Sequence, residues 1–348
     1  LVVKNIDDMA RDNMVLTVMV GDIAYELPAT AVDTAAIMAQ LGTDDPALAP
    51  FTVHITPITD EQVQAIVEAS VASIGGEIIL PAMDFTVTAS YGGKTITVPK
   101  FGAYVSRTVE ITEEQAQKIT TALVVREDGS TYQVPTKVYQ KGGKWYAEIN
   151  SLTNSTYVLI HNEVSFADAA GKWYAAYANE LGSRKIISGY TDGSFSGENA
   201  ITRAEFAQIL VTALGLPKDG DGTVFSDVPA GAWYSGAVGT AYEYGLVSGR
   251  GNGIFDPQAH ITRQEAMIMI TAAAKVAAYQ GQSGSLDGFN DAAQVASWAK
   301  DAVKFCVGSG LVVGNDGKVM PTDNISRAET ATIILKLLQE AGLVDRRS

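Results

Sequence analysis

Three stretches of this chain repeat one local instruction: Ile201-Thr202-Arg203-Ala204-Glu205, Ile261-Thr262-Arg263-Gln264-Glu265 and Ile325-Ser326-Arg327-Ala328-Glu329. A hydroxyl residue followed three positions later by Glu is a capping box. Thr202/Glu205, Thr262/Glu265 and Ser326/Glu329 therefore each predict a helix start. Capping does not account for the arginine at the first helical position, where the positive end of the helix dipole disfavours a cation by about 0.3–1 kcal/mol. A helix start with free amides binds anions, and a guanidinium fork matches a carboxylate or phosphate. Arg203, Arg263 and Arg327 are thus candidate halves of anion sites. The alternative is that they form ion pairs tying neighbouring repeats together.

The repeat extends well beyond these stretches. Sixty positions separate Arg203 from Arg263 and 64 separate Arg263 from Arg327. Each unit opens on an aromatic start, Phe166-Ala167-Asp168, Phe225-Ser226-Asp227 or Phe289-Asn290-Asp291, and then carries Trp173, Trp233 or Trp298. A helix follows, ending in an apolar step to Gly189, Gly249 or Gly314. A glycine-rich loop then leads to the arginine-bearing helix. A unit of two helices and a loop cannot bury its apolar face alone, whereas three can close on a shared axis with grooves between them. The units are placed at 165–216, 225–276 and 289–343, in a domain spanning 164–348.

Residues 1–163 read differently. Apolar and polar residues alternate in short runs, the pattern of a half-buried antiparallel sheet. Strands are expected at 15–20, 51–56, 84–90, 94–99, 104–111, 122–126, 131–136, 137–140, 144–149 and 156–161, with hairpin turns at Gly92-Gly93, Asp128-Gly129 and Gly142-Gly143. The last four strands read as a meander. Helices are expected at 30–41, stopped by Gly42, and at 59–74, stopped by Gly75-Gly76. The first domain is therefore expected to be mainly β, sandwich-like or α+β. Asp84, Glu110 and Glu148 read as solvated strand positions, and His54 and His161 form no arrangement with a nucleophile. No catalytic residue is assigned in either half.

Composition narrows the function. Among 348 residues, 47% hydrophobic, the net charge is −14. That field repels polyanions and argues against nucleic acid and anionic membrane surfaces. An anionic partner must then be held locally. Cys306 is the one cysteine, so neither a disulfide framework nor a cysteine metal cluster is expected. No apolar run reaches about 18 residues, so no membrane insertion is expected. The opening Leu1-Val2-Val3 has no signal-peptide pattern and reads as mid-chain, so a fragment of a longer polypeptide is expected. The acidic stretch Asp219-Gly220-Asp221-Gly222 invites a calcium-loop reading. It fails on Val224 and Ala230, which stand where such a loop needs Gly and Glu, leaving a solvated linker. No metal or cofactor is called for.

The Phe-x-Asp start, the Trp, the apolar step to Gly, the Asp-Gly or Asn-Gly loop and the Thr-Arg-x-Glu helix start, three times in register, resemble the surface-layer homology domain of bacterial cell-envelope proteins. The resemblance covers about half the chain. It implies an all-α, three-fold pseudo-symmetric helical spindle that binds secondary cell-wall polysaccharide, often through a pyruvylated sugar whose ketal carries a carboxylate. It places the charged anchor on Arg203, Arg263 and Arg327, the groove wall on Trp173, Trp233 and Trp298, and a close backbone approach on Gly189, Gly249 and Gly314. The alternative for each Trp is core packing, and each Gly also stops a helix. The first half is similar, more weakly, to β-rich domains that precede such motifs in surface proteins.

The units are not identical. Gly197 stands where the others have Pro257 and Pro321, Ser326 replaces Thr, and the third loop is one residue shorter. After the glycine come Tyr190, Arg250 and Asn315, so the grooves cannot be chemically equal; if one dominates, a groove containing Arg250, a second cation, is favoured. Replacing the three anchors with Ala is expected to leave the fold intact and weaken binding. The function implied is non-covalent anchoring of an extracellular surface-layer or surface protein, with other surface-layer subunits as further partners. The rival reading is the wall-binding tail of a larger exported polysaccharide-degrading enzyme.

Overall fold

The computed structural model describes residues 1–346, which divide into two compact units, one of Leu1–Asn162 with residues 344–346 and one of Glu163–Leu343.

In chain order the first unit contains α1 (Val3–Arg11), β1 (Val15–Val20), β2 (Ile23–Pro28), α2 (Thr34–Leu41), β3 (Phe51–Pro57), α3 (Glu61–Ser73), β4 (Glu77–Tyr91), β5 (Lys94–Thr97), β6 (Lys100–Ile111), α4 (Glu113–Lys118), β7 (Thr121–Val125), β8 (Thr131–Val134), β9 (Thr136–Lys141), β10 (Lys144–Thr153) and β11 (Thr156–His161). It is mainly β. One antiparallel sheet runs β1-β2-β6-β10-β9; the other runs β3-β4-β11-β7-β8, with β5 added to β4. Tyr25, Val105 and Ile149 of the first sheet meet Phe85, Val124 and Tyr157 of the second in one buried cluster. Alternation on each strand sends the intervening residues outward, and the shared apolar face holds the two sheets together.

The expected meander of the last four strands does not form. β7 pairs with β8 and β9 with β10, each a local hairpin, but β8 and β9 lie in different sheets, as do β10 and β11. Pro135 separates β8 from β9; lacking an N–H, it cannot continue a ladder and marks the crossing. The register shift between Ser151 and Thr153 on β10 precedes the second crossing. Three elements lie outside the expected set. α1 buries only Val3 and Ile6, α4 spans six residues, and β2 buries Tyr25 and Leu27 while Glu26 faces out.

The second unit contains α5 (Ala175–Ser183), α6 (Arg203–Ala213), α7 (Ser235–Glu243), α8 (Arg263–Val276), α9 (Lys300–Gly308) and α10 (Arg327–Glu340), with short 3-10 turns and isolated bridges besides. Its three capped segments exchange main-chain hydrogen bonds in a closed cycle. The Ile201 amide donates to the Ile325 carbonyl (3.3 Å), Ile325 to Ile261 (3.0 Å), and Ile261 back to Ile201 (3.1 Å). A second cycle runs beside it, from Arg203 to Ala259, Arg263 to Asp323 and Arg327 to Asn199, each at 2.9 Å. The amide of each first helical residue, an orphan donor in an isolated helix, is thus satisfied by the neighbouring repeat.

The aspartate of each Phe-x-Asp start clamps its own repeat's loop. Asp168 accepts from the Phe195 and Ser196 amides (2.9 and 2.7 Å), Asp227 from Phe255 and Asp256 (2.8 and 2.7 Å), and Asp291 from Val319 and Met320 (2.9 and 2.7 Å). The second residue of each pair, Ser196, Asp256 or Met320, has a φ of 53°, 62° or 50°. That left-handed conformation is costly for a side-chain-bearing residue, and a charge-assisted pair of amide bonds holds it. The same two amides keep the Asp168 carboxyl below its usual range.

The stretch at Asp219–Gly222 is only half a linker. Its acids face water, but Gly220 and Gly222 seat against α7, and the Thr240 hydroxyl accepts from the Gly220 amide (3.1 Å) and donates to the Pro217 carbonyl (2.7 Å). Among the described residues no carboxylate cluster suited to a metal occurs. Cys306 is fully buried, which pushes its thiol up to about 12.

Candidate functional site

The capped helix starts build the site. In each, the hydroxyl accepts from the Glu amide and one Glu oxygen, Oε2, accepts from the cap residue's own N–H: Thr202 to Glu205 at 2.7 Å, Thr262 to Glu265 at 2.9 Å, Ser326 to Glu329 at 2.9 Å. The capping box therefore commits one carboxylate oxygen and leaves Oε1 facing the neighbouring groove.

The three arginines are buried, with 4–6% of each residue exposed. The Arg203 Nε donates to the Phe255 carbonyl (2.9 Å) and its Nη1 reaches Glu265 Oε1 (3.4 Å). The Arg263 Nε donates to the Val319 carbonyl (3.0 Å) and its Nη1 pairs with Glu329 Oε1. Both tie one repeat to the next through a carbonyl and a carboxylate. Arg327 departs from them: its Nη2 donates to the Ser188 carbonyl (2.5 Å), and its guanidinium carbon lies over the Tyr190 ring (4.7 Å) in addition to the loop ring Phe195 (5.2 Å), the counterpart of the Phe255 ring under Arg203 (5.0 Å).

The tryptophans are the opposite of core residues. Trp173, Trp233 and Trp298 are each about 60% exposed, and each lines a groove with an arginine from elsewhere in the cycle. Trp298 stands with Arg203, Gly249, Arg250 and Glu265 around a cavity of about 650 Å³. Trp233 stands with Gly189, Tyr190, Glu205 and Arg327 around about 220 Å³. Trp173 stands with Arg263, Asn315 and Glu329 around about 570 Å³. An aromatic face beside charged and polar groups suits a ring with one apolar and one polar side.

The glycines serve packing. A Cβ on Gly189 would come 2.9 Å from the Phe166 ring and 3.2 Å from the Ser194 carbonyl; on Gly249, 2.7 Å from both Phe225 and the Ile254 carbonyl. On Gly314 it would strike Phe289 and lie 2.6 Å from the Lys318 carbonyl. Each absent side chain thus makes room for the aromatic start and loop of its own repeat. At Gly197 an added Cβ would meet the far end of the Tyr174 ring, which would have to shift to admit a larger residue. The shorter third loop closes one residue earlier, Asn315 accepting from the Lys318 amide and donating to its carbonyl (both 2.9 Å), where Tyr190 and Arg250 bond the carbonyl four residues on.

Arg250 is held by its own surroundings: it reaches Glu265 Oε1 through Nη2 (2.8 Å) and Nε (3.1 Å) and pairs with Asp256. Burial works against its charge, but the two carboxylates raise it above its ordinary value. Glu265 shifts the other way: burial opposes its charge, yet the Thr262 amide and Arg250 leave it below its usual 4.5. A group lowered on folding contributes stability that is complete above the unfolded value and lost as pH falls through the folded one. Acid unfolding should therefore be steeper below about pH 4.5 in the unaltered chain than in Glu265→Gln, with parallel curves above it; chemical-denaturant midpoints measured from pH 3 to 7 check this. The charged groove residues absent from the reading of sequence are Lys185, Lys218 and Lys336. They carry no motif, only proximity after folding.

Residues 165–207, 224–267 and 288–331 match the S-layer homology domain. The helical unit carries three S-layer homology motifs. The matched segments run from the aromatic start of each repeat into its arginine-bearing helix. Among similar proteins are the Surface-layer 125 kDa protein of Lysinibacillus sphaericus (33% identical over 158 residues, 44% of this chain and 13% of the relative) and the S-layer protein sap of Bacillus anthracis (26% over 196 residues, 54% and 24%). A third is an amylopullulanase of Thermoanaerobacterium thermosulfurigenes (31% over 208 residues, 58% and 11%). The chain spans no more than 24% of the length of these relatives. S-layer homology domains anchor surface proteins to the cell wall. Among the described residues no helix is long and apolar enough to cross a membrane.

Proposed function

We propose that the S-layer homology unit is a three-fold pseudo-symmetric helical spindle that binds an anionic, pyruvylated secondary cell-wall polysaccharide in its grooves. It thereby anchors an extracellular surface-layer protein, with the β unit (residues 1–163) as spacer ahead of the binding domain (164–348). The observation that carries this reading is the threefold pairing of a 60% exposed Trp with a buried Arg in one groove. A solvent-facing indole costs hydrophobic stabilisation unless something covers it, and a sugar ring stacked on it with an acid toward the arginine answers both groups. The closed cycle of main-chain bonds supports the pseudo-symmetry, and neither unit is assigned a catalytic role.

A second reading is favoured by the enzyme names among the relatives, whose similarity falls on the S-layer homology portion. In it the same unit anchors an exported polysaccharide-degrading enzyme. Both readings require wall binding. Co-sedimentation of the full chain with purified walls, before and after extraction of their secondary polymers, should show binding lost on extraction. Trp233→Ala should weaken binding while moving the unfolding free energy by less than about 1 kcal/mol, as expected for a mostly exposed side chain. Equal binding to extracted walls would overturn the proposal.

A further inference from the structure

The three grooves differ in how far the chain has already filled them. In the Trp298 groove two guanidinium groups, Arg203 and Arg250, meet the carboxylates of Glu265 and Asp256. In the Trp173 groove Arg263 meets Glu329. In each case the oxygen left over from the capping box takes the arginine of another repeat. The Trp233 groove breaks this rule. Tyr190 occupies the position of Arg250 and Asn315, its ring lies under the Arg327 guanidinium, and its hydroxyl donates to Glu205 Oε1 (3.3 Å), the oxygen that would otherwise face Arg327. Among the described residues no carboxylate lies within 4.0 Å of Arg327. Its Nε, which in Arg203 and Arg263 donates to a carbonyl, is buried and has no partner.

A buried guanidinium cannot shed its proton to escape desolvation. Burial pushes Arg327 below the ordinary guanidinium range, as it does Arg203, with the Tyr190 and Glu205 charges and a side-chain hydrogen bond with Tyr190 opposing it. Glu205, the acid lining the same groove, is engaged by its own cap residue and by the Tyr190 hydroxyl. A cation 94% buried, with an unused donor and, among the described residues, no carboxylate in contact, is complementary to an added anion. The other two arginines already hold one.

We propose that the Trp233–Tyr190–Arg327 groove is the one open anion site of this unit, and that Glu265 and Glu329 act as built-in competitors closing the other two. The group recognised is a carboxylate carried on a sugar ring: the acid meets Arg327 and the ring meets Trp233. The inference rests on the wall-polymer reading above and adds to it a single occupied groove and the cause of that selectivity. It moves the favoured groove away from Arg250, whose charge is spent on Glu265 and Asp256.

Glutamine can replace Glu in a capping box, so Glu265→Gln and Glu329→Gln remove the competing charge while keeping the helix start. Calorimetric titration of the full chain with a pyruvyl-ketal hexoside, and with its uncharged methyl ester, reads both affinity and stoichiometry. The expected result is one site per chain, no binding of the ester, and a loss of about tenfold or more in Arg327→Gln, the scale of one charge-assisted pair. The double variant Glu265→Gln/Glu329→Gln should show more than one site. Because it leaves Arg327 intact, this arm decides the matter even if Arg327→Gln fails to fold. Three equal sites in the unaltered chain, or a stoichiometry of one that persists in the double variant, would overturn the proposal. If the hexoside binds nowhere while polymer-bearing walls still sediment the chain, this inference fails and the anchoring reading stands; if the walls are not bound either, the anchoring reading fails with it.

Discussion

Replacing Gly239 with Ala is expected to destabilise the helical unit by about 3 kcal/mol or more, the upper end of overpacking effects. Gly236 and Gly239 lie on the face of α7 crossed by the segment from Lys218 to Gly222. A Cβ at Gly239 would fall well inside 3.0 Å of the Gly220 and Asp221 backbone, and one at Gly236 would strike the Lys218 carbonyl. Backbone on both sides leaves no flexible side chain to yield. α9 repeats the arrangement, Gly308 lying against Gly284 and Gln282, so close backbone crossing is a shared device of these repeats. Gly231, with nothing within 4 Å of its ideal Cβ, supplies the control. Denaturant midpoints followed by tryptophan fluorescence should fall in Gly239→Ala and hardly move in Gly231→Ala. Equal shifts would show that the crossing yields at little cost.

Arg263→Ala should lower the stability of the same unit by about 2–3 kcal/mol, even in the absence of any ligand. The residue is 4% exposed and holds both the Val319 carbonyl and Glu329. Deleting it strands a carbonyl and a carboxylate, although Glu329, with about a third of its side chain exposed, recovers part of the loss from water. The variant should therefore show a lower melting midpoint before any binding assay is attempted. An unchanged midpoint would show that the interaction is replaced by water at no cost. This result would correct the expectation, natural from the motif alone, that the anchor arginines can be removed without touching the fold. Arg203 and Arg263 act as struts between repeats, the alternative that the motif itself raised.

The difference between the arginines explains how much of the site was readable in advance. Their position at the first turn of three helices follows from a four-residue pattern, because a capping box is a contact between residues three apart. Their side-chain hydrogen-bond partners lie between 52 and 139 positions away, so nothing local distinguishes Arg263, paired with Glu329, from Arg327, stacked on Tyr190. The inequality of Tyr190, Arg250 and Asn315 was visible, but not the acids that each would meet. Arg250 looked like an added cation for a ligand, whereas folding brings Asp256 and Glu265 against it. The tryptophans illustrate the same limit: an indole at a regular repeat position reads equally as core or wall, and only its exposure decides.

The β unit divides along the same line. Hairpins at Asp128-Gly129 and Gly142-Gly143 and the helix stop at Gly42 were legible because short-range backbone geometry dictates them. The passage between sheets after β8 was not, since Pro135 says only that a ladder ends, not where the next strand goes. α1 does carry a helical spacing, Val3, Ile6, Met9 and Ala10, that went unread, whereas α4 spans six residues and rests on a cap, too short to display a period.

By itself, then, the sequence determined the tandem repeat, the capped helix starts, the local hairpins and the set of residue types at each groove, all contacts within a few residues or comparisons between equivalent positions. Only the tertiary structure decided which strands share a sheet, which glycines are backbone crossings, and which of the three repeat arginines is left with an unused donor. Those outcomes depend on pairings across tens of residues, where burial and competition between partners, rather than local preference, select the winner.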